Sequence, residues 1–262
     1  MKPISIAKYF TLGGILSYLR SAKEGYHVHN PNNILDNINR FIDKIENSQL
    51  KVTKNAISEL KKFEGTLKET EENYKISKSE AKALFKIMDR ILFVIIAESK
   101  STFTFIISEK RIDSNKLLFE IATLFAKDVF NVLSHDIQYD FKESGKCIAF
   151  ECPTASAFHV LRGLEGLLRV LLNKLDPQID TSKMCWGDVI KELIKINIKE
   201  LSVLIDNLDR IRANYRNPTN HPELIYNIEE AQDLFNICVG VVNDIIVYMK
   251  KNNYIELETF VW

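Results

Sequence analysis

The chain has 262 residues, enough for one large or two modest domains, and at 46% hydrophobic it can bury a real core. Lys plus Arg and Asp plus Glu both total 35, so the formal net charge is zero and no global field steers the molecule toward nucleic acid. That balance counts against a processive or tight non-specific nucleic-acid binder, which must neutralise many phosphates with clustered cations, and restricts any RNA-binding surface to a local patch.

Glycine and proline are scarce and helix-period patterns recur, so the chain reads as all-α. The apolar run Tyr9–Leu19 is interrupted by Gly13-Gly14 and preceded by Lys8, and no small-x-small cleavage site follows. It reads as a folded first segment. His27 and His29, beside Asn30-Pro31, read as loop histidines with no metal-ligand partners. Leu35, Ile38, Phe41, Ile42 and Ile45 share one helical face, and Val52, Leu60, Phe63 and Leu67 continue as a second amphipathic helix. Ser77-Lys78-Ser79-Glu80 has capping-box spacing and opens a third, with Leu84, Met88, Ile91 and Ile95 as its stripe. The short apolar stretch Ile91–Ala97 is far below the roughly 20 residues needed to span a bilayer, so no membrane association is expected.

Thr102–Ile107, β-branched and aromatic, is a candidate lone strand or extended linker, and the domain boundary falls about there: residues 1–110 as an N-terminal helical region, partly coiled-coil-like in composition, and 111–262 as a second helical domain. The charged helices from Leu35 to Tyr74 lack a sustained heptad, which argues against a structural coiled coil. Asp113 or Ser114 is placed to cap a helix through Leu117, Leu118, Ile121 and Phe125. Asp136 is placed to cap another ending near Phe150, with His135 as part of that cap. Thr154 starts a long apolar helix to about Leu175, and further helices hold Trp186, Ile190 and Leu193, then Leu201, Leu204, Leu208 and Ile211. Ile228 to Met249 forms the last. Residues 254–262 alternate loosely and are expected to pair with the other extended piece as a minor two-stranded element, although two strands alone are marginal.

Cys147, Cys152, Cys185 and Cys238 form no C-x-x-C pair and have no histidine at ligand spacing, so no metal or other cofactor is expected. Cys147 and Cys238 sit in apolar segments as small core hydrophobes, and free thiols of this kind fit a cytoplasmic location. Gly163 and Gly166 are expected to serve close helix packing rather than a phosphate loop.

Chemistry concentrates at Arg216-Asn217-Pro218-Thr219-Asn220-His221. Pro218 biases Asn217 away from the helical region, so a helix is expected to end at Arg216 and the next to begin near His221. Such a break brings a permanent cation and an imidazole to one mouth of the bundle, a place suited to phosphate. Cleavage of RNA by its own 2′-hydroxyl needs a base, an acid and a positive charge. Histidine, with an ordinary pKa of about 6.5, supplies proton transfer, and the arginine fork grips two phosphoryl oxygens. Upstream, His159, Arg162, Glu165, Arg169 and Asn173 form a polar stripe on an otherwise apolar helix, and something polar must face it. Part of it is expected as intrahelical ion pairs, Arg162 with Glu165 and Glu165 with Arg169, unless Arg162 or Glu165 lines the cleft to contact phosphate or orient His221. Arg212, on the helical face of Arg216, is a further candidate for RNA backbone, with Asp209 as its simpler partner.

Arg216, Asn217 and His221 match the Arg-polar-x-x-x-His signature of HEPN ribonucleases, and Thr154-Ala155 with Phe158-His159 and Arg162-Gly163-Leu164-Glu165 resembles an early helix of bacterial HEPN-like proteins. The resemblance covers roughly Asp113 or Asp136 through Lys251. It implies a four- to five-helix core, a homodimer whose motifs meet across a cleft, and metal-independent RNA cleavage of a toxin or anti-phage type. Under it Arg216, His221 and Asn217 are catalytic. An antitoxin or regulatory protein is an expected partner, residues 1–110 are expected to govern regulation or target choice, and a non-catalytic dimerisation or partner-binding scaffold is the rival reading.

Overall fold

A computed structural model describes residues 5–102, 105–219, 221 and 224–255. They form an all-α protein of two compact units, Met1–Phe105 and Ile106–Trp262, each with its own hydrophobic core. No strand occurs among the described residues; the nearest approach is an isolated antiparallel bridge between His27 and Lys75. The described part of the proposed Thr102–Ile107 strand is irregular chain, and residues 256–262 of the proposed pairing tail lie outside the described residues.

The first unit packs α1 (Ala7–Ser21), α2 (Ile34–Glu46), α3 (Lys51–Ala56), α4 (Ser58–Lys68) and α5 (Lys78–Ser99). Their apolar faces meet around Leu19, Ile38, Phe41, Ile45, Leu60 and Leu84, all fully buried. The helix expected over Val52 to Leu67 is two, divided at Ile57, whose buried side chain plugs the joint while Val52 stays exposed. The Ser77–Glu80 capping box forms as expected. His29 lies in a loop, as expected, and its Nε2 pairs with Thr70 Oγ1 at 2.8 Å.

Helix α3 follows Leu50, whose apolar side chain cannot cap it. Glu98, near the end of α5, does this work in trans: it accepts from the Val52 N–H at 2.9 Å, and from the Thr53 N–H at 2.8 Å and hydroxyl at 2.7 Å. Partial burial opposes ionisation, yet the hydrogen bonds outweigh it and hold the Glu98 carboxyl below the usual carboxylate range. A depressed folded-state pKa contributes stability above the unfolded value that is lost as pH falls through the folded one. Acidification below about pH 4.5 is therefore expected to lower the unfolding midpoint of this unit more in the wild type than in Glu98→Gln. Glu98→Ala is expected to cost about 1 kcal/mol at pH 7, the usual value of a lost cap, read by urea titration.

The second unit contains α6 (Ser114–Phe119), α7 (His135–Ala149), α8 (Pro153–Leu175), α9 (Trp186–Ile196), α10 (Ser202–Ile211), a π turn (Arg212–Arg216), a single helical turn α11 (Asn217–Thr219) and α12 (Ile228–Lys251). Asp113 caps α6 through the N–H groups of Asn115 and Lys116. That helix stops at Phe119, and a 3₁₀ turn, Ile121–Leu124, carries Ile121 into the core. Helix α7 follows Ser134, whose side chain makes no capping bond, so Asp136 is a first-turn acid there and His135 is exposed beside it. Pro153 is the first residue of α8, where its missing N–H costs nothing.

Helix α8 is the hub, packed most extensively on α7 and α12. The close approach to α7 rests on small residues. A Cβ at Gly163 would stand 3.1 Å from Asp140 Cβ and 3.2 Å from the Phe141 ring, and one at Gly166 would stand 3.3 Å from Ile137. At the α7–α8 turn the buried hydroxyls of Ser144 and Ser156 pair at 2.8 Å. Helix α12 is long and apolar enough to cross a membrane by length and composition, with a mean hydropathy of 1.2 in its most apolar stretch. Leu234, Phe235, Cys238, Val242 and Ile245 on it are fully buried, the pattern of a core helix. Burial pushes the Cys238 thiol far up, consistent with an inert core cysteine.

Candidate phosphate-binding site

The helical path does not break at Asn217. The chain stays helical through Thr219, with Asn217 at φ −66° and ψ −52° despite the following proline. The reason is the π turn. The Asn217 N–H reaches back to the Arg212 carbonyl, five residues earlier, and this wider turn relieves the clash between a proline ring and the carbonyl of the preceding turn. Thr219 Oγ1 then donates to the Tyr215 carbonyl at 2.6 Å and pairs with the Tyr226 hydroxyl at 2.8 Å, locking the turn from inside. Burial raises the Tyr226 phenol above its ordinary value, so it stays protonated in this contact.

The inserted residue also separates two arginines that a straight α-helix would place on one face. Arg212 pairs with Asp209 at 2.8 Å and lies beside Gly187 of α9, away from the site expected for it. Arg216 turns instead toward α8, where its Nε donates to Glu165 Oε2 at 3.0 Å. Glu165 is buried, 8% exposed, and its other oxygen accepts from Arg169 at 2.6 Å. It therefore orients Arg216, not His221, and it is not among the residues lining the adjoining pocket. A carboxylate shared by two guanidiniums leaves one net positive charge at this point.

Asp140 of α7 is the partner that the polar stripe of α8 required. It occupies a core-face position, 5% exposed, and accepts from Arg162 Nε at 2.9 Å on both oxygens, with the Arg162 Nη2 as a second donor. The carboxylate holds the Arg162 guanidinium above its ordinary value. Arg162 thus pairs across helices and not with Glu165. Asp140 also contacts His159 Nδ1 at 3.0 Å. A carboxylate only accepts, so Nδ1 carries the proton and Nε2 of the neutral ring is the basic nitrogen. His159 Nε2 has no hydrogen-bond partner among the described residues.

Phe158, His159, Leu161, Arg162, Arg216 and Thr219 line one pocket of about 280 Å³. It joins two guanidiniums and an imidazole on a partly apolar floor, a combination that fits a phosphodiester with an attached base or sugar. Asn217 and His221 are both exposed and neither lines the pocket. His221 comes two positions after the end of α11, its N–H bonded to the Pro218 carbonyl at 2.8 Å, so it stays at the same end of the unit as Arg216. Asp140 and the role of His159 were missed in the sequence. A signal for Asp140 was there: with Ile137, Phe141, Ser144 and Ile148 it falls on the buried face of α7, where an acid must be paired.

What the fold and the site define together is an all-α bundle with a two-arginine, one-imidazole pocket on its hub helix. Compared with known proteins, the chain matches no family model, no curated protein and no solved structure.

Proposed function

We propose that the second unit is a metal-independent endoribonuclease of the HEPN type, acting as a homodimer in the cytoplasm in a toxin or anti-phage role. Arg216 holds the scissile phosphate, His221 transfers a proton at the reacting oxygens, and Asn217 positions the group being cut. Attack of the 2′-oxygen on phosphorus forms a 2′,3′-cyclic phosphate and releases the 5′-oxygen as a hydroxyl. The observation that carries this reading is the π turn, which sets the Arg216 guanidinium beside Arg162 and His159 in one pocket while His221 stays exposed a single turn further on.

A rival reading has its own support. Arg162 and Arg216 both have carboxylate partners, as expected of a network that only holds α7, α8 and the π turn together in a partner-binding scaffold. Induced expression of the wild type and of His221→Ala separates the two. The ribonuclease reading predicts growth arrest and new RNA 5′-hydroxyl ends with the wild type alone. Equal growth and equal RNA ends from both proteins would favour the scaffold.

A further inference from the structure

We propose that His159 is the general base of the cleavage reaction, taking the 2′-hydroxyl proton on Nε2, and that His221 serves as the acid. This rests on the ribonuclease reading and divides its proton transfers between two imidazoles. Only one of the two rings lines the pocket that holds Arg162 and Arg216, and that ring is His159. Its Nδ1–H is fixed by the buried carboxylate of Asp140 at 3.0 Å, which aligns the ring and stabilises the imidazolium formed when Nε2 gains a proton. Asp140 is in turn held by the Arg162 fork, so the carboxylate that aligns the ring is itself fixed. His221 has no such partner among the described residues and is open to solvent, where it can exchange protons with water.

The step balances. The 2′-O–H bond breaks, its proton passes to His159 Nε2, and the 2′-oxygen bonds to phosphorus. The bond from phosphorus to the 5′-oxygen breaks as imidazolium His221 delivers a proton to that oxygen. Each ring leaves with the protonation of the other, and water restores both. Arg162 and Arg216 face the phosphoryl oxygens throughout.

The discriminating substrate is a ribonucleoside 3′-(4-nitrophenyl) phosphate, whose nitrophenolate departs without an acid but still requires a base. On RNA, His159→Gln and His221→Ala are each expected to lose about 10²-fold or more in kcat/KM, the usual weight of one general acid or base. On the activated ester His221→Ala is expected to return to within about tenfold of the wild type while His159→Gln stays at least about 10²-fold down. Recovery of His159→Gln on the ester, or its retention of near-wild-type cleavage of RNA, overturns the assignment and leaves the ribonuclease reading standing. A wild type that cleaves neither substrate removes both.

A second measurement guards against a folding defect in the His159 variant. The groups facing His159 are Asp140 and Tyr139 from α7, Arg162 on its own helix and Arg216 across the pocket. With the ester, added imidazole should restore part of the activity of His159→Ala, where the missing ring leaves room for a free base, and none of that of Arg216→Ala. No rescue in a His159→Ala protein whose helical signal matches the wild type contradicts the role given to His159.

Discussion

Replacement of Arg216 by alanine is expected to reduce RNA cleavage by about 10²–10³-fold in kcat, the loss typical when a preorganised charge is removed from a developing phosphorane. The expectation follows from where the side chain is held. Glu165 engages only its Nε, and its two Nη nitrogens have no hydrogen-bond partner among the described residues, which leaves them for two phosphoryl oxygens. The fold should survive at a cost of about 1–3 kcal/mol, because the buried Glu165 keeps its bond to Arg169 but loses the donor on its other oxygen. Arg216→Lys can restore the ion pair with Glu165 but not the planar fork, so activity should recover only in part. Rates on end-labelled RNA, with the helical signal as a folding control, check both variants. Wild-type rates in Arg216→Ala would remove the phosphate contact.

Phe141→Ala is expected to destabilise the second unit by about 3–5 kcal/mol. The ring is fully buried, edge-on to Phe125 with centroids 5.1 Å apart and to Phe235 at 6.1 Å, and it packs where Gly163 brings α8 against α7. Partial collapse of the helices cannot fill the space, since the Gly163 surface is backbone. The same ring stands beside Asp140, so the lost packing loosens the element that aligns His159 and Arg162. Denaturant titration should show the transition of this core moved to lower concentration and that of the first unit unchanged, because the two cores share no residue. A shift below about 1 kcal/mol would mean that Phe141 is not packed as described.

Much of the helical framework was legible because long helices declare themselves through spacing. The stripe from Ile228 to Met249 and the Ser77–Glu80 capping box both appear where the pattern places them. The joints were less legible. Ile57, Phe119 and the π turn at Arg212–Arg216 each depend on tertiary packing that no local window contains. Proline statistics favoured a break at Asn217, yet a five-residue hydrogen bond to Arg212 accommodates Pro218 within a helical path. That one insertion also turns Arg212 from the face of Arg216, which period 3.6 assigns it only if the helix is regular, to its simpler expected partner Asp209. The polar stripe on α8 announced a need for partners, but not that Asp140 and Arg216 would supply them from two other elements.

The most direct measurement is incubation of the purified, intact protein with RNA in excess chelator, followed by analysis of the new ends. The account predicts cleavage undiminished by the chelator, with 2′,3′-cyclic phosphate and 5′-hydroxyl termini that disappear in His221→Ala. Intact RNA, or cleavage that requires a divalent ion and leaves 5′-phosphates, would contradict it.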